Sequence, residues 1–223
     1  MTHKQSGFTL IEIAIVLVII GLLLGGVLKG QELINSAKVK NLAGEFKNVA
    51  LFLNSYQDKF HAIPGDDALV ASHITGADPA ATTPQNAGLA QTGNGRIDGK
   101  WDSDTKTDES FLFWQQVRLS GIATGVTNTA DAAYIQRNTI GGRMGITNNT
   151  ATDLPITNLR GSYIVCSDAI LGKFAKQLDI LLDDGNGSSG SLMAAVNTGA
   201  GAVGLAGVPI PVDDTLYLVC YGV

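Results

Sequence analysis

The distribution of apolar residues divides the first sixty positions into two regimes. Residues 8–28 are apolar apart from Thr9, Glu12 and three glycines, and Lys29 ends the run. About 20 helical residues at 1.5 Å each span the ~30 Å of a bilayer core, so this stretch is long enough to cross one. From Leu42 the pattern changes. Apolar residues recur at Leu42, Phe46, Val49, Leu53, Tyr56 and Phe60, the spacing of a single helical face, with Lys47, Asn48, Asn54, Ser55, Gln57 and Asp58 between them. The first proline after the membrane-length run is Pro64, and Ile63 before it is biased away from helix. The pattern predicts one helix from about residue 8 to about residue 61. Its first half is hydrophobic all round, and its second half is amphipathic and suited to packing on a sheet. A solvated coiled-coil stalk is the competing reading of the second half, but the pattern lasts under three heptads. Gly21, Gly25, Gly26 and Gly30 each weaken a helix by about 1 kcal/mol relative to Ala in water, and suit close helix contacts or local stretching.

Beyond this helix the signals are shorter. Residues 63–108 read as a long connection. Ile63-Pro64-Gly65-Asp66-Asp67 and Asn94-Gly95-Arg96-Ile97-Asp98-Gly99 carry turn chemistry, and residues 77–91 read as a surface loop rich in Ala, Thr, Pro and Asn. Residues 109–119 predict a short helix ended by Gly121 and seated by Phe111, Trp114 and Leu119. Two strands are expected, at residues 161–166 and 215–220, with a shorter candidate at 133–136. Between the two strands a helix is expected at about 169–182, with Leu171, Phe174, Leu178 and Leu181 on one face. Residues 188–207 are rich in Gly, Ala and Ser and read as a mobile or surface-packed segment. The elements together predict an α+β fold, a long N-terminal helix on an antiparallel sheet.

The junction between the polar leader, residues 1–6, and the apolar run reads Gly7-Phe8-Thr9-Leu10-Ile11-Glu12. A secretory signal would place a small-x-small cleavage site after the apolar region, and none precedes Lys29. A plain membrane anchor would explain the hydrophobicity but not Glu12, since a central acidic residue costs about 2.5–3.5 kcal/mol on insertion scales. The stretch resembles the N-terminal signature of type IV prepilins and pseudopilins: a small residue, Phe-Thr-Leu-Ile-Glu, then an apolar helix. The order of the Ile-Pro-Gly-Asp-Asp, Gly-Asn-Gly-x-Ile-Asp-Gly and Trp-Gln-Gln-Val-Arg-Leu-Ser-Gly segments is similar to a layout found in larger bacterial pilin-like proteins, though less specifically.

That resemblance implies processing and assembly. A prepilin peptidase/N-methyltransferase would cut between Gly7 and Phe8 and methylate Phe8. Residues 1–7 are then the leader, 8–28 the transmembrane and polymerisation helix, and 29–223 a periplasmic or extracellular domain that includes the amphipathic half of the helix to about 61. An α-amino group with a reference pKa of about 7.7–8.0 stays mostly cationic near neutrality. Glu12 is implied to pair with the Phe8 N⁺ of a neighbouring subunit. The implied partners are other pilin-like subunits in a homo- or hetero-polymer, the inner-membrane assembly platform and the membrane itself. The implied location is the bacterial inner membrane before assembly and a filament afterwards. Many type IV pilins carry proline where this chain has Lys29, and its absence is similar to some pseudopilins and minor pilins. Orientation rests on the resemblance, because Lys4 precedes the helix while Lys29, Lys38, Lys40 and Lys47 follow it.

Composition narrows the chemistry. The 223 residues are 45% hydrophobic and 16% charged, with a net charge of −5. This leaves enough chain after the membrane helix for one domain with its own core. No basic patch with interleaved aromatics supports nucleic-acid binding. Cys166 and Cys220 each end an expected strand, and in an exported domain one such pair reads as a disulfide. Asp98, Asp102, Asp104, Asp108 and Glu109 cluster in sequence and offer several oxygens to a Ca²⁺ ion, but no register matches the EF-hand loop. Solvated turn acids and helix N-caps are the simpler reading. Asp179, Asp183, Asp184 and Asn186 form a second group, read more simply as a helix end and turn. The histidines, His3, His61 and His73, fall in no metalloprotease, nucleophile-elbow or phosphate-loop motif, so no enzymatic activity is expected. Two functional classes remain. One is a structural subunit, a minor pilin or pseudopilin of a type IV pilus or type II secretion filament. The other is a filament-tip or membrane-anchored module that contacts a surface, a secreted substrate or DNA.

Overall fold

The computed structural model describes residues 9–76, 93–150, 152–199, 201–209 and 215–223. The expected loop at 77–91 and the Gly7–Phe8 junction lie outside them. Helix α1 spans Leu10–Phe60, close to the range expected from periodicity. The chain divides after Lys38 into two compact units. In the first, the helix is exposed on every side, from Leu10 at 89% to Ile34 at 58%. Lys29 continues the helix and pairs with Glu32 at 2.7 Å.

The second unit, Val39–Val223, contains the rest of α1 together with α2 (Val70–His73), α3 (Glu109–Leu119), β1 (Met144–Asn148), β2 (Tyr163–Leu171), α4 (Gly172–Leu182), β3 (Leu192–Val196) and β4 (Leu216–Gly222). Its four strands form one antiparallel sheet in the order β1-β2-β4-β3. Side chains along each strand alternate between two cores. Val165, Ile170, Tyr217, Val219, Leu192 and Ala194 join the larger core, with Leu42, Phe46, Val49, Leu53 and Tyr56 of α1 and Phe111, Leu112 and Val117 of α3. The Phe46 ring meets Tyr221 edge-on, 6.4 Å between centroids. Ile164, Cys166, Leu218, Cys220, Met193 and Ala195 face a smaller core closed by Trp101, Ile156 and Leu159. The sheet is thus buried on both faces, which explains why β2 and β4 read as continuous apolar runs. Gly145 of β1 lies against the Trp101 carbonyl, where a Cβ would overlap backbone.

The long N-terminal helix, the antiparallel sheet and the Cys166–Cys220 bond make this an α+β fold of the pilin kind. Several local expectations need correction. The short strand expected at 133–136 is instead a 3-10 turn, Ala132–Tyr134, entered through Asp131, whose side chain accepts from the Ala133 N–H. The segment 188–207 contains β3, which the small residues of Leu192-Met193-Ala194-Ala195-Val196 concealed. Strand β1 was also missed, because Gly145 interrupts a five-residue run. The last helix starts at Gly172, since residues 169–171 complete β2 after a bulge between Ser167 and Ile170. Its buried face is Phe174, Ala175, Leu178 and Asp179, while Leu181 is exposed.

Candidate functional site

The start of α1 is built by a reciprocal cap. Thr9 immediately precedes the helix, and Glu12 is three residues on. The Thr9 N–H and hydroxyl both donate to Glu12 Oε2 at 2.8 Å, and the Glu12 N–H points back to Thr9 Oγ1 at 3.4 Å. This is the capping-box arrangement, in which a side chain at each position satisfies a backbone donor at the other. The Thr-x-x-Glu spacing was legible in the sequence but was read only as part of a processing signature. Within the isolated chain, Glu12 therefore already has a local job, ordering the end of an apolar helix. Its carboxylate keeps acceptor capacity for a cation, since an ionised carboxylate offers about four lone-pair directions. Downstream, nothing lies within 4 Å of the Cβ positions of Gly21, Gly25, Gly26 and Gly30. Up to Leu28 the helix thus presents an apolar surface with one anchored carboxylate at its start.

The three segments of the turn-rich layout meet in the second unit. Gly65 lies against the Glu109 carbonyl at a positive φ of 94°, and its N–H donates to Gln116 Oε1 at 2.6 Å. The Asp66 carboxylate sits in a nest of backbone N–H groups from Gly93, Asn94 at 3.2 Å and Gly95 at 2.6 Å. The Asp98 N–H donates to Glu109 Oε2 at 2.7 Å, and the Ser110 N–H donates to the Asp98 carbonyl at 3.1 Å. Burial, opposed by the Asp98 N–H and reinforced by the negative charges of Asp66 and Asp98, pushes the Glu109 carboxyl up to about 9. Glu109 is therefore a neutral acid at physiological pH, able to donate to a carboxylate neighbour. Beside this network the Tyr56 hydroxyl donates to Asp67 Oδ2 at 2.7 Å, and His73 Nδ1 lies 2.7 Å from the same oxygen. Burial, then the Asp67 carboxylate, drives the Tyr56 hydroxyl pKa upward. These polar residues lock the connection between α1 and α3 to the core. That accounts for the motif layout as architecture.

The five acids expected to offer calcium oxygens form no common cluster, and Glu109 is taken up by the Asp98 N–H. Asp98 accepts from the side-chain amides of Asn148 at 2.7 Å and Asn94 at 3.1 Å. Asp102 accepts from the Gly201 N–H. Asp104 is exposed and pairs with Arg143 at 2.9 Å. Asp108, at the N-cap position of α3, accepts from the Ser103 hydroxyl at 2.5 Å and makes no side-chain cap bond to the helix. Burial raises its pKa, offset by Ser103. Among the described residues, the carboxylates whose oxygens do converge are Asp179, Asp183 and Asp184, within 4.8 Å of one another.

Cys166 and Cys220 face each other across β2 and β4, with Cα atoms 4.1 Å apart, and are joined by a disulfide. Both sulfurs are fully buried in the smaller core, and the bond spans 54 residues of sequence. Comparison with curated proteins and with solved structures finds no match. The family model of the prokaryotic N-terminal methylation motif matches residues 2–28, the stretch that holds Gly7, Phe8, the Thr9–Glu12 cap and the apolar run. With that match joined to the α+β fold and its disulfide, the chain carries the N-terminal signature of type IV prepilins and pseudopilins.

Proposed function

We propose that this chain is a minor pilin or pseudopilin of a type IV pilus or type II secretion filament, a non-enzymatic subunit. It is cut after Gly7, methylated on Phe8, and polymerised through α1. The observation that carries the reading is the coincidence of the methylation motif with an apolar segment, residues 8–28, whose sole carboxylate, Glu12, is held at the first turn of α1. The same helix serves as a single-pass inner-membrane anchor before assembly, and then as the lining of a filament core. Neither step changes its chemistry, since lipid and packed helices are both apolar. Lys29, in the place of proline, supports the minor-subunit or pseudopilin form.

Mass spectrometry of the assembled protein tests this. It should show an N-terminal N-methyl-Phe8, and replacement of Gly7 by Arg should leave uncleaved precursor in the membrane. Filament material beginning at Met1 would overturn the reading. A minor subunit should be rare beside a major one in sheared filaments. An equal or dominant share would reassign it as the major component.

A further inference from the structure

We propose that the junction between α4 and β3 is a calcium site, with Asp179, Asp183 and Asp184 as its carboxylate ligands. The proposal is independent of whether the chain assembles. One oxygen from each carboxylate lies within 4.8 Å of the others. Clustering alone would not make a site, since exposed acids often gather at turns. Asp179 changes this. It is 0% exposed, and neither of its carboxylate oxygens has a hydrogen-bond partner. The Gly185 N–H lies close enough to act on its charge without making a bond of proper geometry. A buried carboxylate is expected to be paired or to coordinate a metal.

The electrostatics of α4 point the same way. The carboxyl end of a helix carries partial negative charge and favours cations. Here three acids occupy that end, and no basic residue lies in the last turn. None of the ion pairs found among the described residues involves Asp179, Asp183 or Asp184. Asp183 Oδ2 accepts from the Ser191 N–H at 2.6 Å and the Leu192 N–H at 2.9 Å, and Asp184 Oδ1 accepts from the Asn186 N–H at 2.8 Å. Each of these acids keeps its other oxygen free of those bonds, and Asp179 contributes two more. An all-oxygen set without His or Cys suits a hard cation. Calcium is favoured over magnesium because it accepts about 6–8 oxygens in flexible geometry, whereas magnesium requires a near-ideal octahedron. The ion would tie the end of α4 to the start of β3, which pairs with the disulfide-bearing β4.

The test uses full-length protein in detergent, stripped with a chelator. Equilibrium binding of radioactive calcium should give one ion per chain with Kd in the range of about 10⁻⁴–10⁻³ M, typical of extracellular modules. Calcium at a few millimolar should raise Tm by roughly 2–8 °C, and magnesium should do so by less than half as much. Asp184→Asn alters an exposed side chain that the fold tolerates, and should weaken calcium binding by about tenfold or more. Asp179→Asn is isosteric and should abolish both the binding and the thermal shift. Absence of stoichiometric binding at 5 mM calcium (a concentration of about five times the weaker Kd) would overturn the proposal. So would binding unchanged in both variants. A rise in the chelated Tm of Asp179→Asn, with no calcium binding to the unsubstituted protein, would show that the buried acid carries a proton instead.

Discussion

Two glutamates show how one residue type is set to different tasks by its surroundings. Glu12 is exposed in the isolated chain and closes the first turn through Thr9, while Glu109 is 1% exposed and wedged among other acids. Substitution separates the local task of Glu12 from the intersubunit pairing proposed for it. Glu12→Gln keeps an acceptor for the Thr9 N–H but removes the charge, so membrane level should hold while the yield of sheared filaments falls by about tenfold or more, ~1.4 kcal/mol or above. Thr9→Val removes only the hydroxyl half of the cap, and should reduce yield by less. Equal filament yield from Glu12→Gln and the unsubstituted chain would reduce Glu12 to a cap. For Glu109, the folded-state value of about 9 lies above the ordinary 4.5. Its contribution to stability is therefore fully present below about pH 4.5, and is lost as pH rises toward 9, because the unfolded chain releases the proton first. The slope is at most about 1.4 kcal/mol per pH unit. Glu109→Gln preserves a neutral donor and acceptor there, so Tm measured from pH 5 to 8 should fall more steeply for the unsubstituted protein than for the variant. Parallel curves would show that Glu109 is ionised in the fold.

At the scale of elements, the disulfide and the amphipathic half of α1 hold the sheet in different ways. The bond between β2 and β4 closes a long stretch, and the chain-entropy model gives about 4 kcal/mol for a loop of this length. Joint replacement of Cys166 and Cys220 by Ala, which leaves no polar group in the smaller core, should lower the Tm of the full chain in detergent by roughly 8–16 °C. A shift under 2 °C would mean that packing alone fixes the two strands. Both strands were legible from the dense apolar runs that lead to Cys166 and Cys220, although β2 continues to Leu171, and α1 and α3 were legible because their apolar spacing matches a helix. β1 and β3 were not. Gly145 and the pair Ala194-Ala195 carry little strand propensity, and these strands are specified by pairing with β2 and β4. The same limit applies to the acids. Neighbours in sequence, Asp98 to Asp108, are dispersed among separate amide, hydroxyl and cation partners by the turns between them. The buried pairing of Asp66 with the 93–95 amides depends on a contact across 27 to 29 residues that no local pattern encodes. Asp179 was placed at a helix end, yet its complete burial follows from helical phase set by Gly172.

For the whole molecule, the division after Lys38 implies that processing and domain stability are separable. The described residues of the methylation motif, 9–28, belong to the first unit, while the core contacts of α1 begin at Val39. Phe46 sits at the centre of the second unit, fully buried and edge-on to Tyr221 of β4. Phe46→Ala should cost about 3–5 kcal/mol through lost burial and the cavity left behind. On the proposed reading, by contrast, the peptidase cuts the Gly7–Phe8 junction in the membrane and needs none of that core. Pulse-labelled Phe46→Ala protein should therefore be trimmed at the same rate as the unsubstituted chain, and then be degraded or fail to enter filaments. Gly7→Arg should give the opposite phenotype, an uncleaved chain with an unchanged domain Tm. Slow trimming of Phe46→Ala would show that the peptidase reads the folded domain as well as the N-terminal motif, and would tie export, folding and cleavage into one step.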